Sequence, residues 1–478
     1  MSLFSERISD YIAISGMSLY QLGKRGKIDR STIHKVKLGE RLPSLDFYEH
    51  LCEALTLNPY EQKELDELYE MAKIGDQIFF RRKKVKEVIE ELSGNTNKIG
   101  NEYCLEENRT IEPFLGGMKV ICGKNQVNNA IINILNEDFF QNEQPQIVLS
   151  VSFEHRFLYE FLYNAFVSSS KTIEIDHFIC IEKNSQSTKG CLNNLERLKY
   201  ILSFSLSGKK GYRPYYYYNE NDPAKNINDL FPYYILTGRY VLALSGDLKD
   251  AVLYDDIEMI ELYRNRVEWT KRKLPLLVQW TDSVLDMFNW NNEELPDAVI
   301  EPSPCLARQY TPEIIETLIK EDIPEREMIV QAAKDYYGPL QRGEVQQART
   351  IFSINGLQEL METGRFYVGP VNIVNNISSE YRQVMLTGIK KDILEKKSEY
   401  IVINPDRFKI PMNIEIMKLS SPRIMFSCLN ETHTEMVTIF LKEISIYEAF
   451  EDFFDYLPGS DLVLSEETLL KVIDQYLE

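Results

Sequence analysis

Apolar positions in the first seventy or so residues recur at helical spacing and are interrupted at short intervals by strong stop signals. Ile8, Tyr11 and Ile12 share one face of a first helix, which Ser5 is expected to cap and Gly16 to end. Ser18 with Gln21 three residues later makes a capping box that opens a short second helix through Leu22 to Arg25. Gly26 is expected to supply the turn, because glycine tolerates positive φ without strain. Ile28 plugs the core there. Asp29 caps a third helix, Arg30–Lys37, with Ile33 and Val36 inward and Gly39 as its stop. Ser44 caps a fourth helix carrying Leu45, Tyr48, Leu51, Cys52 and Leu55, and Asn58-Pro59 with Glu61 opens a fifth. The pattern predicts a compact all-α domain over residues 1–74, with a tight turn between its second and third helices.

The texture then changes. Residues 75–110 read as a basic helix, from Asp76 to about Leu92, followed by a polar linker over 93–109. From about residue 111, β-rich runs at 147–153, 173–181, 240–244 and 400–403 alternate with amphipathic helical stretches at 193–206 and 356–362. Such alternation predicts layered α/β (α+β) domains. A hairpin followed by an acidic helix occurs twice, once from Tyr240 and once from Arg423. Two similar halves are therefore expected, 111–292 and 293–478, divided around residues 291–302.

Charge sharpens the picture of the helical domain. The chain has 478 residues and a net charge of −19, so its surface as a whole does not suit nucleic acid. Yet Lys24, Arg25, Lys27, Arg30, Lys35, Lys37 and Arg41 crowd one short segment, against only Asp29 and Glu40. With Ile33 and Val36 buried, the third helix turns Arg30, Ser31, Thr32, His34 and Lys35 outward or toward its N-terminus. Arginine can donate two hydrogen bonds to a guanine edge, and serine or threonine can contact bases or phosphates. The flanking cations supply sequence-independent attraction to phosphate, and the start of the second helix presents free N–H groups to it.

Residues 17–55, MSLYQLGKRGKIDRSTIHKVKLGERLPSLDFYEHLCEAL, resemble the lambda-repressor/Cro-like, or XRE, family of helix-turn-helix regulators. The matches are the capped start of the second helix, Leu22, Ile28, the run Arg30-Ser31-Thr32-Ile33, Gly39, and Pro43-Ser44-Leu45 before the next helix. The resemblance implies base-reading and adjacent phosphate-contact roles for Arg30, Ser31, Thr32 and Lys35, and a backbone contact for Arg41. Leu19 stands where the family often has a glutamine that buttresses such contacts, and Gly23 where alanine is usual. The fold class that follows is multidomain: an all-α lambda-repressor-like head and a large α/β (α+β) region.

The large region carries no Walker lysine loop, GxSxG elbow, HExxH helix or EF-hand loop. Its histidines are dispersed, none opens an HxKxxxxD run, and nothing in the pattern calls for a cofactor or metal. Glu448, Asp452 and Asp455 share a helix face, as do Glu258 and Glu261, and such groups usually face solvent. The run Tyr212-Arg213-Pro214-Tyr215-Tyr216-Tyr217-Tyr218 reads either as an edge or core strand, or as a pocket wall in which Arg213, Tyr215 and Tyr217 hold an anionic ligand. The seven cysteines are scattered without a CxxC pair, which suits reduced core residues. No membrane span or signal peptide is evident, so a cytoplasmic location is expected.

Three functions fit these features. A transcriptional regulator would bind a pseudo-palindromic DNA operator as a homodimer, its C-terminal region sensing a small-molecule or peptide effector or mediating oligomerisation. A DNA-tethered enzyme would require a polar cleft with converging titratable groups. An antitoxin or phage-defence scaffold would require a broad apolar face for a protein partner.

Overall fold

The computed structural model describes residues 2–92, 117–183, 188–219, 230–365 and 369–477. The chain divides into two compact units, Met1–Lys83 and Lys84–Glu478. The first contains α1 (Leu3–Ile14), α2 (Leu19–Gly26), α3 (Arg30–Lys37), α4 (Leu45–Leu55) and α5 (Pro59–Ile74), and α6 (Asp76–Leu92) spans the border between the units. Four of the five expected caps are in place. Ser18 and Asn58 form capping boxes, and Asp29 and Ser44 accept from the third residue of their helices. The exception is α1, where Ser2 is the cap and Ser5 is buried inside the helix.

The core of the first unit is built from Ile8, Leu22, Ile33, Val36, Leu51 and Leu65, all fully buried. Tyr48 and Tyr69 stack beside it with ring centroids 4.2 Å apart. The Tyr69 hydroxyl donates to the Pro43 carbonyl at 2.9 Å, which pins the loop between α3 and α4. Here each polar tip finds a partner while the ring fills the core.

The second unit contains two seven-stranded mixed sheets. The first is built from β1 (Met118–Cys122), α7 (Lys124–Gln141), β2 (Gln146–Ser150), α8 (Arg156–Ser168), β3 (Glu174–Glu182), α9 (Thr188–Ser205), β4 (Tyr212–Asn219), β5 (Tyr233–Leu236), β6 (Val241–Leu244), β7 (Asp250–Tyr254) and α10 (Ile257–Lys271). The second uses β8 (Val278–Thr281), α11 (Val284–Glu293), β9 (Pro296–Ile300), α12 (Pro312–Leu318), α13 (Arg326–Gln341), β10 (Arg349–Phe352), α14 (Ile354–Thr363), α15 (Ser379–Leu394), β11 (Tyr400–Val402), β12 (Ile414–Leu419), β13 (Ile424–Leu429), β14 (Met436–Leu441), α16 (Ile444–Tyr456) and α17 (Glu466–Leu477).

The two sheets share one topology. Their orders are β4-β3-β2-β5-β6-β7-β1 and β11-β10-β9-β12-β13-β14-β8, so the same rank in the chain takes the same place in each. In both, the first three strands of that order are parallel and the remaining pairings antiparallel. The repeated hairpin-then-helix units are β6-β7-α10 and β13-β14-α16, at equivalent positions. The border between the halves differs from the expected 292–293. Residues 278–281 pair with 438–441 of β14, so the second half begins before β8. Four residues were too short a signal to separate from the preceding helix.

One continuous hydrophobic core runs through both halves and takes in Val85, Val88, Ile89 and Leu92 of α6. Those four lie at i, i+3, i+4 and i+7, the single stripe that a helix presents to one side. The expected linker over 93–109 lies outside the described residues.

Candidate nucleic-acid interface

The geometry of α2 and α3 follows from two glycines and one left-handed residue. A Cβ on Gly23 would lie 2.9 Å from the Ile28 carbonyl oxygen, and one on Gly26 2.9 Å from that of His50. Both glycines therefore permit close packing. The residue with positive φ is Lys27, at 52°, not Gly26, which is the last residue of α2. The expectation for Gly26 is corrected in mechanism: α4 excludes a side chain there, while the turn itself is made by a lysine. Ile28 packs half-buried against the core.

Asp29 then starts α3. Its Oδ2 accepts from the Thr32 amide at 2.7 Å and from the hydroxyls of Ser31 at 2.5 Å and Thr32 at 2.9 Å. These bonds, the Ser31 hydroxyl foremost, hold the carboxyl down at about 2 although it is fully exposed. Ser31 and Thr32 thus spend their hydroxyl protons on the cap and turn lone pairs outward. In that state they suit the amino groups of adenine or cytosine better than phosphate oxygens.

Ile33 and Val36 are fully buried, which leaves Arg30, Ser31, His34 and Lys35 exposed and Thr32 and Lys37 half-buried. Lys24, Arg25, Lys27 and Arg41 are exposed around them. Among the described residues, none of these seven cations forms an ion pair, although the protein forms many elsewhere. Two acidic groups of the same unit are occupied by other partners. Glu64 binds Arg7 and the Tyr11 hydroxyl, and Asp66 accepts from Tyr48 and Gln62. The result is a basic segment whose cations meet no carboxylate among the described residues.

The basic run on α6 differs. Lys83 pairs with Glu67 at 3.0 Å, Lys84 with Glu87 at 3.2 Å and with Glu196, and Lys86 with Glu90 at 2.8 Å. Its lysines are used to hold the helix in place.

The tyrosine-rich strand is β4, at the edge of the first sheet. Arg213 there is neutralised, its Nε donating to Asp176 at 2.6 Å and its outer nitrogen to Glu174 at 3.0 Å. Tyr215 is buried against Phe178 with centroids 5.5 Å apart. The expected anion pocket of Arg213, Tyr215 and Tyr217 is therefore corrected. The cation is already matched by two carboxylates from β3, so the core-strand alternative describes this segment. On the other face Tyr212 donates to or accepts from His177 Nδ1 at 2.9 Å, and Tyr159 meets His177 Nε2 at 3.2 Å. Complete burial pushes that histidine down to about 3.

Glu258, Glu261, Glu448 and Asp455 are exposed, in line with solvated carboxylates. Two others escaped notice in the sequence. Glu301 and Glu415 are 4% and 6% exposed and lie on neighbouring strands facing one cavity. A single glutamate inside each of two apolar runs, DAVIEP and IEIMKL, was the available signal. Among the described residues no helix is long and apolar enough to cross a membrane. No protein-family model matches this sequence, and no curated protein matches it either.

Proposed function

We propose that the chain is a sequence-specific DNA-binding regulator in which α3 enters the major groove. Arg30 reads a base edge, Ser31 and Thr32 accept from exposed amino groups, and Lys35 lies at the groove wall. Lys24, Arg25, Lys27, Lys37 and Arg41 contact phosphates, and the N-terminus of α2 receives another. The observation that carries this function is that seven cations between residues 24 and 41, in a protein with net charge −19, form no ion pair among the described residues. Cations left unpaired in so acidic a molecule keep their full attraction for an external polyanion. The resemblance of residues 17–55 to XRE regulators points the same way.

In this account the chain acts as a homodimer on a pseudo-palindromic operator, with recognition helices about 34 Å apart, one turn of duplex. The duplicated α/β unit senses an effector or joins the protomers. An effector changes operator affinity only through unequal binding to two arrangements of the heads. Selection from a random duplex library by the full chain tests the proposal. A discrete consensus is expected from the wild type, and none from the Arg30→Ala/Lys35→Ala variant. Recovery of unselected sequence by the wild type would reject it.

A further inference from the structure

The second half contains a cavity of about 50 Å³ between α11, α13 and the β9–β12 strand pair. The antiparallel register ends with Ile416 against Ile300, and Glu415 and Glu301 are the next residues of the two chains beyond that pair. Side chains opposite one another on such strands have Cβ atoms about 5 Å apart. Four oxygens that line the cavity are buried and accept no hydrogen bond: Glu301 Oε1, Glu415 Oε2, Asn291 Oδ1 and Gln347 Oε1. Gln347 is oriented by its own amide nitrogen, which donates to the Tyr400 hydroxyl at 3.1 Å, and that turns its oxygen to the cavity. These four are acceptors, and the Tyr310 hydroxyl and the Cys305 thiol line the same space. Among the described residues no lysine, arginine or histidine lines the space.

Leaving such groups without donors is costly, and two carboxyls buried together without a counter-charge resist ionisation. Burial pushes Glu415 up to about 8, and burial with the charge of Glu415 pushes Glu301 well above the carboxylate range. Cys305, Tyr310 and Tyr336 face the same pair and carry no positive charge. The rings of Tyr310 and Tyr336, which line the space, meet that of Tyr337 edge-on at 4.8 and 4.9 Å. Leu295 and Tyr337 are half-buried and Gln346 exposed, which marks the mouth. Among the described residues no three His, Cys, Asp or Glu side chains converge as for a metal.

We propose that this cavity binds a small organic cation that donates hydrogen bonds, an ammonium or guanidinium head group held between Glu301 and Glu415. The head group's N–H donors, three on an ammonium, are shared among the four oxygens with the Glu301 and Glu415 carboxyls foremost, and its aliphatic remainder lies along the tyrosine rings. The site would make the duplicated region the effector-binding part of the protein, but its existence does not depend on the DNA interface.

The test is thermal unfolding of the full chain titrated with methylammonium chloride at pH 8. Tetramethylammonium chloride and potassium chloride serve as equal-ionic-strength controls. A saturable rise in Tm of a few degrees is expected with methylammonium alone. The controls lack donors on the cation or lack the tyrosine-compatible tail. Glu301→Gln/Glu415→Gln, which keeps shape but cannot ionise, is expected to lose the rise. Should that variant not fold, the comparison of methylammonium with tetramethylammonium on the wild type decides alone. Equal shifts from all three salts, no shift from any, or an undiminished shift in the glutamine variant would overturn the proposal. Arg30→Ala/Lys35→Ala is expected to keep the response, so failure of this site and failure of the DNA interface are separable.

Discussion

Two basic segments of this chain, residues 24–41 and 81–86, look alike as strings of lysine and arginine, yet the fold treats them differently. On α6, Lys83, Lys84 and Lys86 each meet a glutamate within 3.2 Å or less. Around α3, seven cations form no ion pair among the described residues, while Glu64 and Asp66 of the same unit are tied to Arg7, Tyr11, Tyr48 and Gln62. Positive charge in a sequence is therefore not by itself an electrostatic footprint. What counts is the charge left over after the protein's own partners have been satisfied.

The comparison breaks most visibly at Arg30. Removing a bidentate base contact costs about 1–3 kcal/mol, so Arg30→Ala is expected to weaken consensus binding on the order of tenfold or more and to relax one base position. Competition binding against single-base operator variants measures both effects. Next come the phosphate contacts. Lys27→Ala or Lys37→Ala is expected to weaken all sequences alike and to reduce the slope of log K against log salt by roughly 0.9 per contact. Lys83→Ala and Lys86→Ala are expected to leave that slope unchanged, since their charge is spent internally. A reduced slope in those variants would erase the distinction between the two segments.

Smaller effects concern how α3 is held. Asp29→Ala should lower Tm and loosen the helix start, and Asp29→Asn should restore most of it because asparagine caps as well. The carboxyl of Asp29 is held at about 2 by bonds to its charged form. The stabilisation is therefore full above the unfolded value near 4 and is lost as pH falls through about 2. Amide exchange of residues in α3 over that range reports it.

The duplicated region has a basic-group signature of the same sign in a higher pH window. His177 is buried neutral and pushed down to about 3. The unfolded chain then binds the extra proton below about 6.5, and stability drops by roughly 1.4 kcal/mol per pH unit from there toward 3. His177→Gln should flatten that part of the profile, measured by urea unfolding between pH 7 and 4.

Most of the helical unit was legible because its signals are local. A serine or aspartate three residues before a backbone amide caps a helix whatever lies elsewhere, and Ile33 and Val36 fix the buried face by spacing alone. Ser5 misled because Ser2 offers the same chemistry one turn earlier. Gly26 misled because a glycine at a turn has two uses, positive φ and close approach, and only the position of the His50 carbonyl distinguishes them. In the α/β region the recurring hairpin and helix exposed the duplication, since β6-β7-α10 and β13-β14-α16 are consecutive in the chain. Its seven-strand order was not legible, because β8 joins β14 across about 160 residues. Separation in the chain likewise hid Glu301 from Glu415, and the 37 and 39 residues between Arg213 and Asp176 and Glu174 hid the two carboxylates that neutralise it.

The central claim is that α3 lies in the major groove. Methylation interference on the selected operator tests it most directly. Dimethyl sulfate places a methyl on guanine N7, in the major groove, and on adenine N3, in the minor groove. The account predicts that N7 methylation blocks binding at one or two guanines per half-site, and that Arg30→Ala removes the block at one of them. Interference confined to adenine N3, or absent altogether, would contradict it.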